Sequence, residues 1–233
     1  MIIGFDFQAD YGHFSHPATI YSSLTYPVPP KTAIIGVLAA IAGIGDIASY
    51  RFLNDIRYSV VIKKLDGKKN FSFNGVKDAL PSIKMNEGFQ RIRQRKQFYR
   101  ELLIAPEYRV YVDFSACRED VTNIMENIKN HRAMYPVYMG INFCLADFTF
   151  TGEYEGPAVS NQEYISIDSF IPLDTPFEIE PEKNYSDIRM PTTIEPERIF
   201  GGFSDLLVEL SGKPLLAAPE SYHRVGDHNV VFI

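Results

Sequence analysis

The 233-residue chain is 45% hydrophobic and 22% charged, with a formal net charge of -6 at pH 7; this fits a globular protein with a sizeable core and excludes a disordered or fibrous one. Its longest apolar run, 33–44, falls short of the roughly 18 to 20 residues that span a bilayer and no secretory leader is evident, so the expectation is a cytoplasmic protein with no membrane partner. The charge is uneven: residues 1–152 carry 18 Lys/Arg against 14 Asp/Glu, a net of +4, and residues 153–233 carry 5 against 15, a net of -10, so the overall sign does not exclude a nucleic-acid partner for the first part.

The chain opens by alternation, with Ile3, Phe5 and Phe7 on one face and Gly4, Asp6 and Gln8 on the other, which predicts a strand. A loop rich in Tyr, Ser, Pro and His leads to Pro29-Pro30 and then a run that is apolar on every side. Proline at a helix start is preorganised, so a buried helix beginning near Pro30 is predicted, with first amides beside Lys31 and Thr32 that suit an anion. Gly36, Gly43 and Gly45 read as close-packing positions, since neither GxxxxGK[ST] nor GxGxxG is present. Asp46 is placed to cap a short helical turn through Leu53, and 58–64 reads as a second strand.

Residues 65–104 interrupt the pattern, and a long insertion in a compact domain usually serves function. Within it, 84–100 holds six basic residues against Glu87 alone, interleaved with Ile92, Phe98 and Tyr99. Arginines track phosphates and aromatic rings take stacked bases, so Arg91, Arg93, Arg95, Lys96 and Arg100 are the leading RNA-binding candidates here; the bland alternative is a solvated amphipathic segment. Alternation of Tyr108, Val110, Val112 and Phe114 against Arg109, Tyr111 and Asp113 predicts a third strand. Ser115 is then expected to cap a helix carrying Val121, Ile124, Met125 and Ile128 on one face. A fourth strand is expected over 142–154, with a register shift near Ala146.

The order strand, helix, strand, insertion, strand, helix, strand is the βαββαβ order of the α+β ferredoxin-like, or RNA-recognition-motif, fold. It implies a domain over 1–155 with the insertion 65–104, followed by a small, acidic, β-rich lobe over 156–233 with short strands at 164–171, 177–179, 206–210 and 230–233. His13 and His16 have HxxH spacing without a supporting carboxylate or cysteine, so no metal is assigned. Cys117 and Cys144 read as small buried hydrophobes of a reducing compartment. Tyr26 precedes the proline-led helix and suits base stacking; His16, Tyr99, His223 and Arg224 are secondary RNA-contact candidates.

The stretch Ser22-Ser23-Leu24-Thr25-Tyr26-Pro27-Val28-Pro29-Pro30-Lys31-Thr32-Ala33-Ile34-Ile35-Gly36-Val37-Leu38-Ala39-Ala40-Ile41 resembles the N-terminal signature of the fifth CRISPR-associated family (Cas five), in the repeat-associated mysterious protein (RAMP) superfamily. Tyr108-Arg109-Val110-Tyr111-Val112 and Tyr135-Pro136-Val137-Tyr138-Met139-Gly140-Ile141-Asn142-Phe143-Cys144 are also similar to it. The resemblance implies a subunit of a type I Cascade antiviral surveillance complex, in motif style type I-B. It implies a thumb between the second and third strands, where 65–104 lies.

Such a subunit holds the 5′ handle of CRISPR RNA and caps the backbone filament, without a cofactor. Its neighbours are the seventh-family backbone protein and the large eighth-family subunit, with target DNA reached indirectly. On this reading Arg91, Arg93, Arg95, Lys96 and Arg100 neutralise phosphates, and Lys31, Thr32 and the adjacent amides hold another. The alternative is a metal-independent endoribonuclease that processes precursor CRISPR RNA with tyrosine, lysine and histidine, as in the type I-C branch. No such triad is matched in this sequence, so the expected role is non-catalytic. A third reading is a protein-interaction module whose basic insertion docks on an acidic partner.

Overall fold

A computed structural model of the chain describes residues 1–17, 19, 23–76, 95–160 and 162–233. In chain order the principal elements are β1 (Ile2–Gln8), α1 (Lys31–Ala42), β2 (Arg57–Lys64), β3 (Lys68–Val76), β4 (Arg95–Ile104), β5 (Glu107–Asp113), α2 (Thr122–Lys129) and β6 (Asp147–Tyr154). Four of the strands form one antiparallel sheet in the order β2-β5-β1-β6. The first and third strands of the sheet are therefore central, and the second and fourth are at its edges.

Because successive strand side chains point to opposite faces, Ile3, Phe5 and Phe7 share one face with Tyr58, Val60, Ile62, Tyr108, Val110, Val112 and Phe148. They pack there with Ile34, Ile35, Leu38 and Ile41 of α1 and Ile124, Met125 and Ile128 of α2. The opposite face is partly covered by β9 (Ser221–Val225) and β10 (His228–Val230), numbered after β7 (Tyr185–Glu195) and β8 (Ile199–Glu209). Ile2, Val61, Tyr111, Val225 and Val230 form a second, smaller cluster on that side.

The all-round apolar character of α1 has a direct explanation. One side faces the sheet and α2, and the other meets β7, whose Met190 and Ile194 join the principal core together with Phe170, Leu206 and Val208. That core therefore draws on residues either side of position 155. Pro30 is extended (φ -65, ψ 157) and Gly43 ends the helix in the left-handed region (φ 80), its amide reaching the Ala39 and Ala40 carbonyls. This is the usual glycine stop. Gly36 departs from its expected role: a Cβ there would meet nothing within 4 Å, so close packing is not the reason for it.

Other expectations need correction. Ser115 does not cap α2; its amide and hydroxyl both turn back to Asp113, at 2.9 Å each. Asp120 accepts the Thr122 amide at 2.9 Å instead, as a carboxylate at a helix start can. Asp46 does cap the short helix Ile47–Tyr50, accepting the Ser49 amide at 3.0 Å.

The fourth strand starts at Asp147, because residues 137–146 fold into a turn closed by a Tyr138–Leu145 bridge. The sheet irregularity lies opposite Gly4 and Phe5 rather than at Ala146; a Cβ on Gly4 would stand 2.8 Å from Thr151 Oγ1 and from the Tyr154 ring.

The acidic C-terminal stretch is β-rich as expected, but its longest pair, β7 with β8, runs from Tyr185↔Glu209 to Glu195↔Ile199. Ile233 lies beyond β10 and exchanges two backbone hydrogen bonds with Tyr58, at 3.0 and 3.1 Å, covering part of the β2 edge. Among the described residues no single helix is long and apolar enough to cross a membrane.

Candidate RNA interface

In its described residues the insertion is a β-hairpin stem. β3 and β4 pair from Lys68↔Leu103 at the base to Val76↔Arg95, and Tyr11–Gly12 extends β4 on its other side at Ile104 and Leu103. The register sorts its side chains onto two faces. One carries Lys69, Phe71, Phe73, Lys96, Phe98 and Arg100; the other carries Asn70, Ser72, Asn74, Gln97 and Tyr99. On the first face Phe73 stacks on Phe98 (centroids 5.5 Å apart, planes 20°) and on Phe71 (6.3 Å, 29°). The Lys96 ammonium stands 5.7 Å from the Phe98 ring centre.

All three Phe rings are exposed, as is Tyr99 at 56%. A soluble domain gains nothing from a solvent-facing run of phenylalanines with cations beside it, whereas single-stranded nucleic acid offers both π-faces and phosphates to such a surface. The Asn70-Phe71-Ser72-Phe73-Asn74 alternation carried the signal for Phe71 and Phe73 in the sequence.

The base of the hairpin is tied down by polar contacts. Glu101 accepts the Thr25 amide at 3.0 Å and pairs with Lys68 at 3.4 Å, while Lys68 also donates to the Thr25 carbonyl at 3.0 Å. His13, fully buried, donates from Nδ1 to the Glu101 carbonyl at 2.7 Å, leaving Nε2 to face the Ser23 hydroxyl at 3.5 Å. Burial holds the His13 pKa below its ordinary value, and nearby Arg100 pushes it the same way. A base with a depressed folded-state pKa makes the unfolded chain the better proton binder once the pH falls below its ordinary 6.5. Stability should therefore drop as the pH falls from above 6.5 through the lower folded-state pKa, and His13→Gln should shallow that drop; thermal melts across pH 5 to 8 measure it.

The remaining candidates fall in three places. Arg95, Lys96, Tyr99 and Arg100 lie on the described part of the hairpin; Arg91 and Arg93 lie outside the described residues. Tyr26, Lys31 and Thr32 are in the interior, at 2%, 8% and 8% exposure. The Tyr26 hydroxyl donates to the Arg189 carbonyl at 2.6 Å, and its ring lies 4.7 Å from that of His16. Lys31 has a pKa lowered by burial, with Asp55 opposing the shift; the Tyr58 hydroxyl donates to the Pro29 carbonyl just before the helix at 3.3 Å.

His223 is buried at the other end of the sheet, donating to the Gly156 carbonyl at 2.5 Å with its ring edge-on to Phe232. Arg224 next to it is exposed. The sheet register separates this pair from the hairpin: Arg57 and Asp113 mark their end, Lys64 and Glu107 the end from which the hairpin leaves. His13 and His16 are not brought together, since His13 is turned to Glu101 and His16 to Tyr26.

Known proteins give this geometry a context. The profile of the family described as CRISPR-associated protein (Cas_Cas5) matches residues 2–119, about half of the chain. The chain belongs to the Cas_Cas5 family.

Solved structures similar to this Cas_Cas5 chain include a chain of a "CRISPR RNA-guided surveillance complex", at 10% identity and TM-score 0.56, covering 92% of this chain and 91% of that one. A second, titled "Crystal structure of Cas protein", has 14% identity and TM-score 0.52, with 91% and 96% covered. A CRISPR protein from Archaeoglobus fulgidus has 15% identity and TM-score 0.50, with 98% and 97% covered. At such identities the likeness is one of fold, and it extends over nearly the whole Cas_Cas5 chain, acidic C-terminal part included. A comparison with curated proteins gives no match.

Proposed function

We propose that this protein is a non-catalytic subunit of a type I CRISPR surveillance complex that grips the 5′ handle of CRISPR RNA and caps the filament of backbone subunits. In this reading the β2-β5-β1-β6 sheet with α1 and α2 is a ferredoxin-like RAMP domain, and the β3–β4 hairpin is its thumb. Membership of the Cas_Cas5 family and the fold shared with a surveillance-complex chain support the setting. One observation carries the RNA role: a solvent-exposed ladder of Phe71, Phe73 and Phe98 flanked by Lys69, Lys96 and Arg100 on a single face of the hairpin. Stacked rings take bases whatever their identity, and the cations take phosphates.

Tyr26, Lys31 and Thr32 enter this reading as the residues that hold the α1 entrance in place, and Arg95, Lys96, Tyr99 and Arg100 as the described residues that meet RNA. Seventh- and eighth-family subunits are the protein neighbours, with target DNA reached only through the assembled complex. Incubating the purified protein with labelled repeat RNA in EDTA tests the proposal. A shifted, uncut RNA is expected on native gels; specific cutting at the handle boundary would instead establish the endoribonuclease alternative, and no shift would remove RNA binding altogether.

A further inference from the structure

At the foot of the hairpin, Arg100 occupies a setting unlike that of the other cations on its face. Its Nε is buried without a hydrogen-bond partner, and no carboxylate pairs with its guanidinium among the described residues. Its guanidinium carbon lies 5.5 Å from the centre of the Phe143 ring. Phe143 itself is 57% exposed, on the turn closed by the Tyr138–Leu145 bridge. Arg100 stands cross-strand from Phe71, and its charge reaches both buried His13 and buried Cys144.

A buried guanidinium N–H such as that on Nε ordinarily finds an acceptor, because leaving it unpaired away from water is costly. The terminal Nη groups of such an arginine form a fork suited to a phosphate, and an aromatic ring under one face fixes the plane of that fork.

We infer that Arg100 is a dedicated RNA-phosphate clamp and that the 137–146 turn is the second wall of the RNA groove, with Phe143 as the positioning residue for the Arg100 guanidinium. This rests on the RNA-binding role proposed above. It adds a site on a different chain segment, one not marked by any run of basic residues. The turn is itself anchored where the hairpin is: the Met139 carbonyl accepts the His13 amide (2.9 Å), and the Met139 amide donates to the Cys144 carbonyl (2.8 Å), so turn and hairpin base share one support.

A double-mutant cycle tests the inference, using binding of a handle oligoribonucleotide to the full chain across a range of NaCl. Arg100→Ala should weaken binding and reduce the slope of log K against log[salt] by about 0.7, as loss of one phosphate contact to a single strand requires. Phe143→Ala should weaken binding about three- to tenfold, Phe143→Tyr should restore it, and Phe143→Ala should add nothing in the Arg100→Ala background. Thermal melts confirm that each variant is folded. Additive effects would make Phe143 an independent contact, and unchanged binding would make it an idle surface residue; either overturns the inference.

Lys96→Ala distinguishes the two levels. If it weakens binding while Phe143→Ala does not, the hairpin still binds RNA and only the clamp is wrong. If the unaltered protein shows no affinity for the handle, both fall together.

Discussion

Replacing Phe73 and Phe98 together with alanine is expected to lower affinity for handle RNA by at least about tenfold, given that one base–aromatic stack is worth about 1–3 kcal/mol. The two rings form the middle of the exposed ladder, 5.5 Å apart, and neither belongs to the principal core. Removing them takes away π-surface and leaves every cation in place. The salt dependence of binding should therefore stay as it was while the affinity falls. Lys69→Ala and Lys96→Ala should do the reverse, each flattening the salt dependence by roughly 0.7, so that their loss of affinity is greatest at low salt and fades as salt rises. Fluorescence anisotropy at several NaCl concentrations separates the two signatures. Equal slopes in all variants would mean that the lysines do not meet phosphates.

The second large effect concerns stability. Gly140 has φ +87, and a Cβ there would lie 2.1 Å from the His13 carbonyl oxygen. No side-chain adjustment relieves a clash with backbone. The left-handed conformation alone costs an L-residue roughly 1–2 kcal/mol, and separating the turn from the His13 strand adds more. Gly140→Ala should thus cost about 3 kcal/mol or above, lowering the melting temperature by about 6 to 12 °C in a domain of this size. Gly36→Ala is the natural control, since that Cβ would meet nothing within 4 Å on a helix; it should raise stability by about 0.5–1 kcal/mol. A Gly140→Ala melt within 2 °C of the parent would show that the turn does not need its close seat on His13.

How far the sequence disclosed this structure depended on whether a signal was local. Strands β1 and β5 follow from alternation of the apolar side chains that face α1 and α2, while β2 is legible as a short apolar run. The proline-led helix was legible from Pro29-Pro30 and the apolar run. What covers its second side was not, because Met190 and Ile194 reach it from β7, a strand whose Pro191, Asp187 and Arg189 disguise it as loop.

The same distance explains Tyr26 and Lys31. Their types suit RNA, but only the fold reveals that both are buried, with the Tyr26 hydroxyl bonded to the Arg189 carbonyl. The insertion was legible as an interruption. Its face was not, since pairing Phe73 with Phe98 needs a register that no short window contains. Phe143 stood in the sequence only as part of the family-like 135–144 segment: a lone phenylalanine in a turn becomes notable only when Arg100 lies over it.

On the proposed function, RNA runs along the β3–β4 hairpin rather than over the acidic C-terminal part. Photo-crosslinking a 4-thiouridine-substituted handle RNA to the intact protein, followed by mass-spectrometric mapping of the linked peptides, reads this directly. Crosslinks are expected within 68–76 and 95–104, centred on Phe71, Phe73 and Phe98. Crosslinks confined to 156–233, where acidic residues outnumber basic ones, would contradict this path along the hairpin.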